Sequence, residues 1–265
     1  MRNSTLRRML LCSCIALAVA SCKKDDPAKL TPPPFPDQSF IEEFDTVSAA
    51  FHRGWIPINN SSPKGSSIWA QGGGPAPIFA PYSSKGTYAG FIAADYLSTS
   101  AAAGVISNWL VSPVIYMKNG DRITFYTRGQ LYPATAPDST DYGNNLEVCI
   151  NRKNQSANIG IARDPRDPLF NIATDRGDFE VSLTINPPFY DAGTDFFNYR
   201  YAHSTVSLYD PLAYPAVWTK FQVMVDGLIK PQQGRFAFRY YTLDAGSNGN
   251  GSAVAIDRVE YSTAK

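Results

Sequence analysis

The sequence is short of the residues that usually announce chemistry. Two histidines, His52 in "FHRGW" and His203 in "YAHST", serve all 265 residues. Neither stands at a spacing that coordinates zinc or completes a serine triad beside a nucleophile elbow. No phosphate-cradling glycine loop, dinucleotide fingerprint or zinc-protease helix occurs. Neither sign of charge is in excess, with 24 basic against 23 acidic residues, dispersed, and a pI near 7.6. That balance points neither to nucleic acid nor to steering of a charged ligand. An enzyme is therefore not the expectation. The paired acids of a β-fold glycosidase come from distant strands and leave no local spacing to read, so a polysaccharide-active hydrolase stays as an alternative.

Cysteine is scarce too. Cys12 and Cys14 lie in the apolar N-terminal segment, Cys22 closes it and Cys149 stands alone, so no intrachain disulfide is available to the remainder. In "NLEVCIN", Leu146, Val148 and Ile150 alternate with Glu147 and Cys149, which places the thiol on the strand face opposite the aliphatic row. No histidine lies nearby in sequence to activate it, so it reads as a small packing residue rather than a nucleophile. After Ala20 there is no second long hydrophobic run, and no long helical period appears.

What is present begins at the N-terminus. Arg2, Arg7 and Arg8 precede an apolar core from Met9 to Ala20, the pattern of a secretory signal, and the core is shorter than the roughly 20 residues a spanning helix needs. Val19, Ala20 and Ser21 before Cys22 resemble the bacterial lipobox. That resemblance implies removal of residues 1–21 and acylation of Cys22. Each buried acyl methylene contributes about 0.8 kcal/mol, so several chains hold a protein to the bilayer where one holds it reversibly. Lys23, Lys24, Asp25 and Asp26 resemble the export signals of Bacteroidota lipoproteins, which implies an outer-membrane protein displayed at the cell surface. A solvated linker is the alternative. "PAKLTPPPFPDQ" completes a linker over residues 22–38 that proline stiffens toward polyproline II.

Residues 39–265, about 225 in all, fit a single all-β domain. "SFIEEF", "GVISNWLVSPVIYM", "DRITFYTRG", "NLEVCIN", "DFEVSLTI", "VWTKFQVMVDG", "GRFAFRYYTL" and "AVAIDRVEYS" are β-branched and aromatic, and several alternate with period two. Clusters such as "NNSSPKGSS", "QGGGPAP" and "DAGSNGNGS" separate them. The fold expected is a two-sheet jelly-roll sandwich. Trp55, Trp69, Trp109 and Trp218 each sit at the edge of an apolar stretch and read as core rings rather than a sugar-stacking platform. Pro113 after Ser112 is expected to bend the chain at a crossing between sheets. The stretch from Asn186 to Trp218 packs Tyr190, Phe197, Tyr199, Tyr201 and other aromatics among prolines and aspartates. It suits a functional loop or a cover for a second small core. Those four rings are the first candidates for contacts with a glycan or a protein partner.

In order, "EEFDTVSAAFHRGW", "SSIWAQ", "SNWLVSPVI" with "DRITFYTRG", "NNLEVCIN", "AVWTKFQVMVDG", "GRFAFRYYT" and "VAIDRVEY" resemble the choice-of-anchor J and cleaved-adhesin group, jelly-roll modules related to MAM and galactose-binding-like domains. The resemblance implies a non-catalytic surface module that binds a glycan or a protein in adhesion or nutrient capture. A structural envelope lipoprotein without a small ligand is a further alternative. Residues 162–215 depart from the shorter family pattern and resemble an insertion. The resemblance also implies a structural calcium ion near the joined first and last strands. The matching acids are Asp45 and Asp257, with Glu43 as a third donor, and calcium takes six to eight oxygens. Arg258 stands where the family often has a second acid, and its pairing with Asp45 or Asp257 in place of the ion is the competing arrangement.

Overall fold

The computed structural model describes residues 36–72, 78–83, 90–131, 142–164, 167–169, 171–186, 189–190, 199–200 and 214–264. The strands belong to the compact unit Gln38–Lys265. One sheet runs in the order β12 (Thr219–Met224), β7 (Arg122–Gly129), β14 (Ala253–Ser262), β4 (Phe91–Asp95) and β3 (Ala70–Gly72), with β1 (Phe40–Glu42) also paired to β14. The other runs β2 (Ile56–Asn59), β5 (Gly104–Val111), β13 (Gln232–Ala245), β8 (Leu146–Asn151) and β9 (Glu180–Ile185), with β6 (Ile115–Met117) also on β13. Every pairing within these sheets is antiparallel. The chain passes repeatedly from one sheet to the other, as in a jelly roll. A short helix, α1 (Val47–His52), follows β1, and a single turn, α2 (Ile172–Asp175), precedes β9.

Period-two alternation decides which side chains fill the space between the sheets. Phe236, Phe238 and Tyr240 of β13, Leu146, Val148 and Ile150 of β8, and Ile106 and Leu110 of β5 point inward. They meet Ile123 and Phe125 of β7 and Val254, Ile256, Val259 and Tyr261 of β14. Each fully buried ring or aliphatic chain contributes about 1.5–3 kcal/mol. On β14 the alternation is interrupted by a bulge between Asp257 and Glu260, where Arg258 takes a left-handed φ of 47°. The extra residue is what lets Ile256 before the bulge and Val259 after it both face the core.

The inward row of β13 leaves an outward row of Ala237, Arg239 and Tyr241, which is also sealed. The chain between β8 and β9 folds back over this face, and Ile159 and Phe179 pack on Trp109, Val111, Cys149 and Ala237 as a second core. Cys149 is fully buried there and its thiol is pushed well above the ordinary range, first by burial and then by the Glu147 charge. It is an inert packing residue, as the strand pattern requires.

Two expectations need correction and one is sharpened. Within residues 162–215, Phe179 packs on the second sheet, and the expected strand run "DFEVSLTI" supplies β9 (180–185), paired with β8 in that sheet. The alternating "EVSLTI" explains this, since a period-two run finds an open strand edge more readily than it stays irregular. Pro113 does not mark a crossing, because β5 before it and β6 after it both pair with β13. It kinks one strand within one sheet, where its missing N–H is tolerated. Trp218 is half-buried on an outer face rather than in the core, against Phe79 and Phe91. Trp55 and Trp69 do lie in the main core, and the Trp69 indole donates to the Asn108 carbonyl at 2.9 Å.

Candidate functional site

The acids assigned to calcium do not converge. Asp257 projects from the outer face of β14, where its Oδ2 accepts the amides of Tyr82 at 2.7 Å and Ser83 at 3.0 Å, and its Oδ1 accepts the Ser83 hydroxyl at 2.9 Å. Glu43 pairs with Arg258 at 3.3 Å, and Asp45 is exposed. Phe44 between them takes a φ of 53° and buries its ring, which ends the alternation of β1 at Glu42. Arg258 thus pairs with neither Asp45 nor Asp257 but with Glu43 and Glu260. Among the described residues no three acidic, histidine or cysteine side chains gather as a metal would require. One Glu43 oxygen is buried without a partner, and a single donor beside a guanidinium does not suit a cation that takes six to eight oxygens.

Asp257 instead straps residues 78–83 across the first sheet. Tyr82 stacks on Tyr126 of β7, Phe79 stacks on Phe91 of β4, and the Trp218 indole donates to the Ala80 carbonyl at 2.8 Å. Arg128 lies over the Phe79 ring at 4.0 Å. The outer face of this sheet is therefore covered where it is most aromatic. Burial holds the Asp257 carboxyl above the ordinary carboxylate range, and the hydrogen bonds from Ser83 and Tyr82 offset that in part.

The outer face of the second sheet carries the strongest charges. Arg239 is fully buried, bonded to Ser107 Oγ at 2.9 Å, to Glu147 at 3.1 Å and to Asp175 at 3.0 Å. Arg176 completes the Glu147 carboxylate at 2.6 Å. Two carboxylates meet here, as a glycosidase requires, but both are sealed and consumed by guanidinium groups. Burial would raise Glu147, and Arg239 with Arg176 outweigh it, holding it below the usual carboxylate range. Sealed from solvent and paired with guanidinium groups, the two carboxylates form a lock on α2.

The candidate aromatics divide. Tyr190 and Tyr199 are register partners in a two-stranded antiparallel ribbon formed by β10 (Phe189–Tyr190) and β11 (Tyr199–Arg200). Phe197, Tyr201 and His203 lie outside the described residues, as does Cys22. Tyr214, from the same aromatic stretch, is core: it is buried, and its hydroxyl bonds Thr127 Oγ1 at 2.6 Å. His52 is exposed and its Nδ1 contacts the Ser48 carbonyl one turn back on α1.

An open concavity that sequence reasoning missed lies at one end of the sandwich. Tyr96, Gln130, Tyr142 and the loop 246–252 between β13 and β14 line a cleft of about 780 Å³, within the usual size of small-molecule sites. No carboxylate, amine, guanidinium, imidazole or thiol occurs among the described residues lining it. Tyr96 opens a short 3₁₀ turn (Tyr96–Ser98) whose backbone donates to the Ser252 carbonyl at 2.9 Å. Beneath the loop, fully buried Asn144 accepts from the Ser252 amide and the Tyr240 hydroxyl and donates to Ser252 Oγ at 2.8 Å. The glycine- and asparagine-rich "AGSNGNG" signalled a turn but not what stands beside it.

No family model and no curated protein matches the chain. Among solved structures it is similar to the K1 cleaved adhesin domain of Lys-gingipain from Porphyromonas gingivalis W83, at 14% identity over 86% of this chain and 99% of that one, with a TM-score of 0.48. The K3 cleaved adhesin domain of the same protein is 14% identical over 86% and 100%, with a TM-score of 0.46. A structure of carbohydrate-binding modules from the β-sandwich superfamily is 9% identical over 83% of this chain and 61% of that one, with a TM-score of 0.37. Likenesses this distant assign neither a family nor a site, and function has to be argued from the chain's own residues.

Proposed function

We propose that this chain is a lipid-anchored module of the outer membrane, displayed at the cell surface, that binds a glycan without transforming it. The observation that carries the reading is the contrast between sealed and open surfaces. The aromatic part of one outer sheet face is strapped by residues 78–83, and the other face is capped by the segment ending at Phe179. The loop end keeps an aromatic-rimmed cleft, and no carboxylate, amine or imidazole occurs among the described residues that line it. Amides, hydroxyls and phenol rings of this kind suit the holding of a polar ligand. The signal, the lipobox-like "LAVASC" and the proline spacer support presentation from a membrane through acylated Cys22.

A glycan array probed with the chain from Lys23 onward tests binding, with and without chelator. Retention on a defined set of glycans, released uncleaved, is the expected result, and silence on every glycan overturns it. Labelled palmitate should enter the full-length protein in the native cell and vanish with Cys22→Ala. Equal release of both forms into the medium removes the anchor from the account.

A further inference from the structure

We propose that the cleft of Tyr96, Tyr142 and loop 246–252 is a subsite for an uncharged oligosaccharide, a deepening that rests on the glycan-binding reading above. Tyr96 and Tyr142 reach the cleft from segments far apart in sequence and remain 38% and 40% exposed. An exposed phenol ring offers a flat apolar face with a polar edge, which matches the C–H face and hydroxyl rim of a pyranose. Tyr142 presents its ring from a left-handed backbone, φ 54°, a conformation that bulky side chains rarely adopt and that is kept where the surroundings over-determine it. The Gly251 amide donates to the Tyr142 carbonyl and fixes it there.

The lining decides the charge of the ligand. An anionic or cationic sugar entering this cleft loses hydration and meets no counter-charge among the described lining residues, which is costly, whereas neutral hydroxyls need donors and acceptors of both kinds. Gln130, Ser247 and Asn248 supply amide and hydroxyl groups of that sort. The loop is also set before binding. The Asn250 amide donates to the Asp244 carbonyl at 2.7 Å and the Asn248 amide to the Ala102 carbonyl at 3.1 Å. Gly246 has φ 136°, and a side chain there would collide with the Ala101 carbonyl. A loop already ordered loses little freedom when the ligand arrives.

Isothermal titration calorimetry of the chain from Lys23 onward checks this against neutral hexasaccharides of β-linked glucose, mannose and xylose, with a hexagalacturonate as the charged counterpart. A neutral hexamer is expected to bind. Tyr142→Ala and Tyr96→Ala should each weaken it by about three- to tenfold, while Tyr142→Phe keeps most of the affinity. Binding should be indifferent to chelator and to roughly 1 M salt, since no screened charge contributes. Unchanged affinity in both alanine variants, with native circular dichroism, overturns the subsite and leaves the binding module standing elsewhere on the surface. Preference for the galacturonate overturns the neutral ligand class while glycan binding survives. Retention of no oligosaccharide here, together with a silent array, removes both.

Discussion

Each sheet turns a buried carboxylate of its own to its outer face, Glu147 on β8 and Asp257 on β14, and the two are held by opposite means. Glu147 on the second sheet is surrounded by guanidinium groups, Arg239 at 3.1 Å and Arg176 at 2.6 Å. Asp257 on the first sheet is held instead by the backbone amides of Tyr82 and Ser83 and by the Ser83 hydroxyl. Both clamp a neighbouring segment, one α2 and the other the strap at 78–83. Charge pairing depresses the carboxyl at the first site, and at the second burial outweighs the hydrogen bonds and raises it. The same task, fixing a chain segment over a sheet, thus acquires opposite dependences on acid.

The largest expected effect comes from breaking the charged clamp. Arg239→Ala leaves buried Asp175 without its guanidinium and Glu147 with Arg176 alone, and should cost about 3–5 kcal/mol in urea unfolding. Replacing Arg239, Glu147, Asp175 and Arg176 together with apolar residues of similar volume should recover most of that loss, because the cost lies in the uncompensated charge. A quadruple variant as unstable as the single one contradicts it.

Asp257→Ala breaks the neutral clamp. It leaves two amides and a hydroxyl without their acceptor and should cost about 1–3 kcal/mol. The readout specific to the strap is faster hydrogen exchange at Tyr82 and Ser83 with no change at Phe179.

Acid separates the two sites by sign. A depressed carboxyl stabilises the fold above the ordinary glutamate value, about 4.3, and loses that stabilisation as pH falls through its folded value. The advantage of the native chain over Glu147→Gln should therefore shrink on acidification. A raised carboxyl does the reverse: its contribution is complete below the ordinary aspartate value, about 3.9, and is lost as pH rises through the folded value. Stability relative to Asp257→Asn should accordingly decline from acid toward neutral pH. Parallel curves for the two variants dismiss the contrast.

The smallest effect belongs to an ion pair exposed on both sides. Lys153, which reaches Glu180 at 3.2 Å, should cost below about 1 kcal/mol when changed to Ala, and less in high salt.

Strands such as β8 are plain in "NLEVCIN" because the period of the side chains is set by the backbone within the segment itself. The eight runs singled out from composition all contain strands of the two sheets. The short strands β2, β3 and β4 were not distinguished, since three to five residues of "IPIN", "AQG" or "FIAAD" carry too little pattern. Arg239 sits in "RFAFRYYT" as one charge in an aromatic strand, and its partners stand 64 and 92 residues away, so no local signal shows that it is buried and paired. The cleft was equally unreadable: Tyr96, Tyr142 and loop 246–252 look like three unrelated turns until the strands bring their ends together. Asp45 and Asp257, with Glu43 as a third, were picked out as metal donors on a resemblance; Asp257 binds residues 82 and 83, Glu43 pairs with Arg258, and Asp45 is exposed.

Alternation, turn chemistry and the N-terminal apolar run are properties of neighbours along the chain. The amino-acid sequence alone therefore determined that this is an all-β sandwich, that Cys149 packs rather than reacts, and where an anchor is to be sought. Which faces are sealed, which carboxylates are neutralised and which tyrosines stay open depend on contacts between segments from about thirty to more than a hundred residues apart. Tertiary structure decided those, because burial and charge compensation exist only once distant strands share one core.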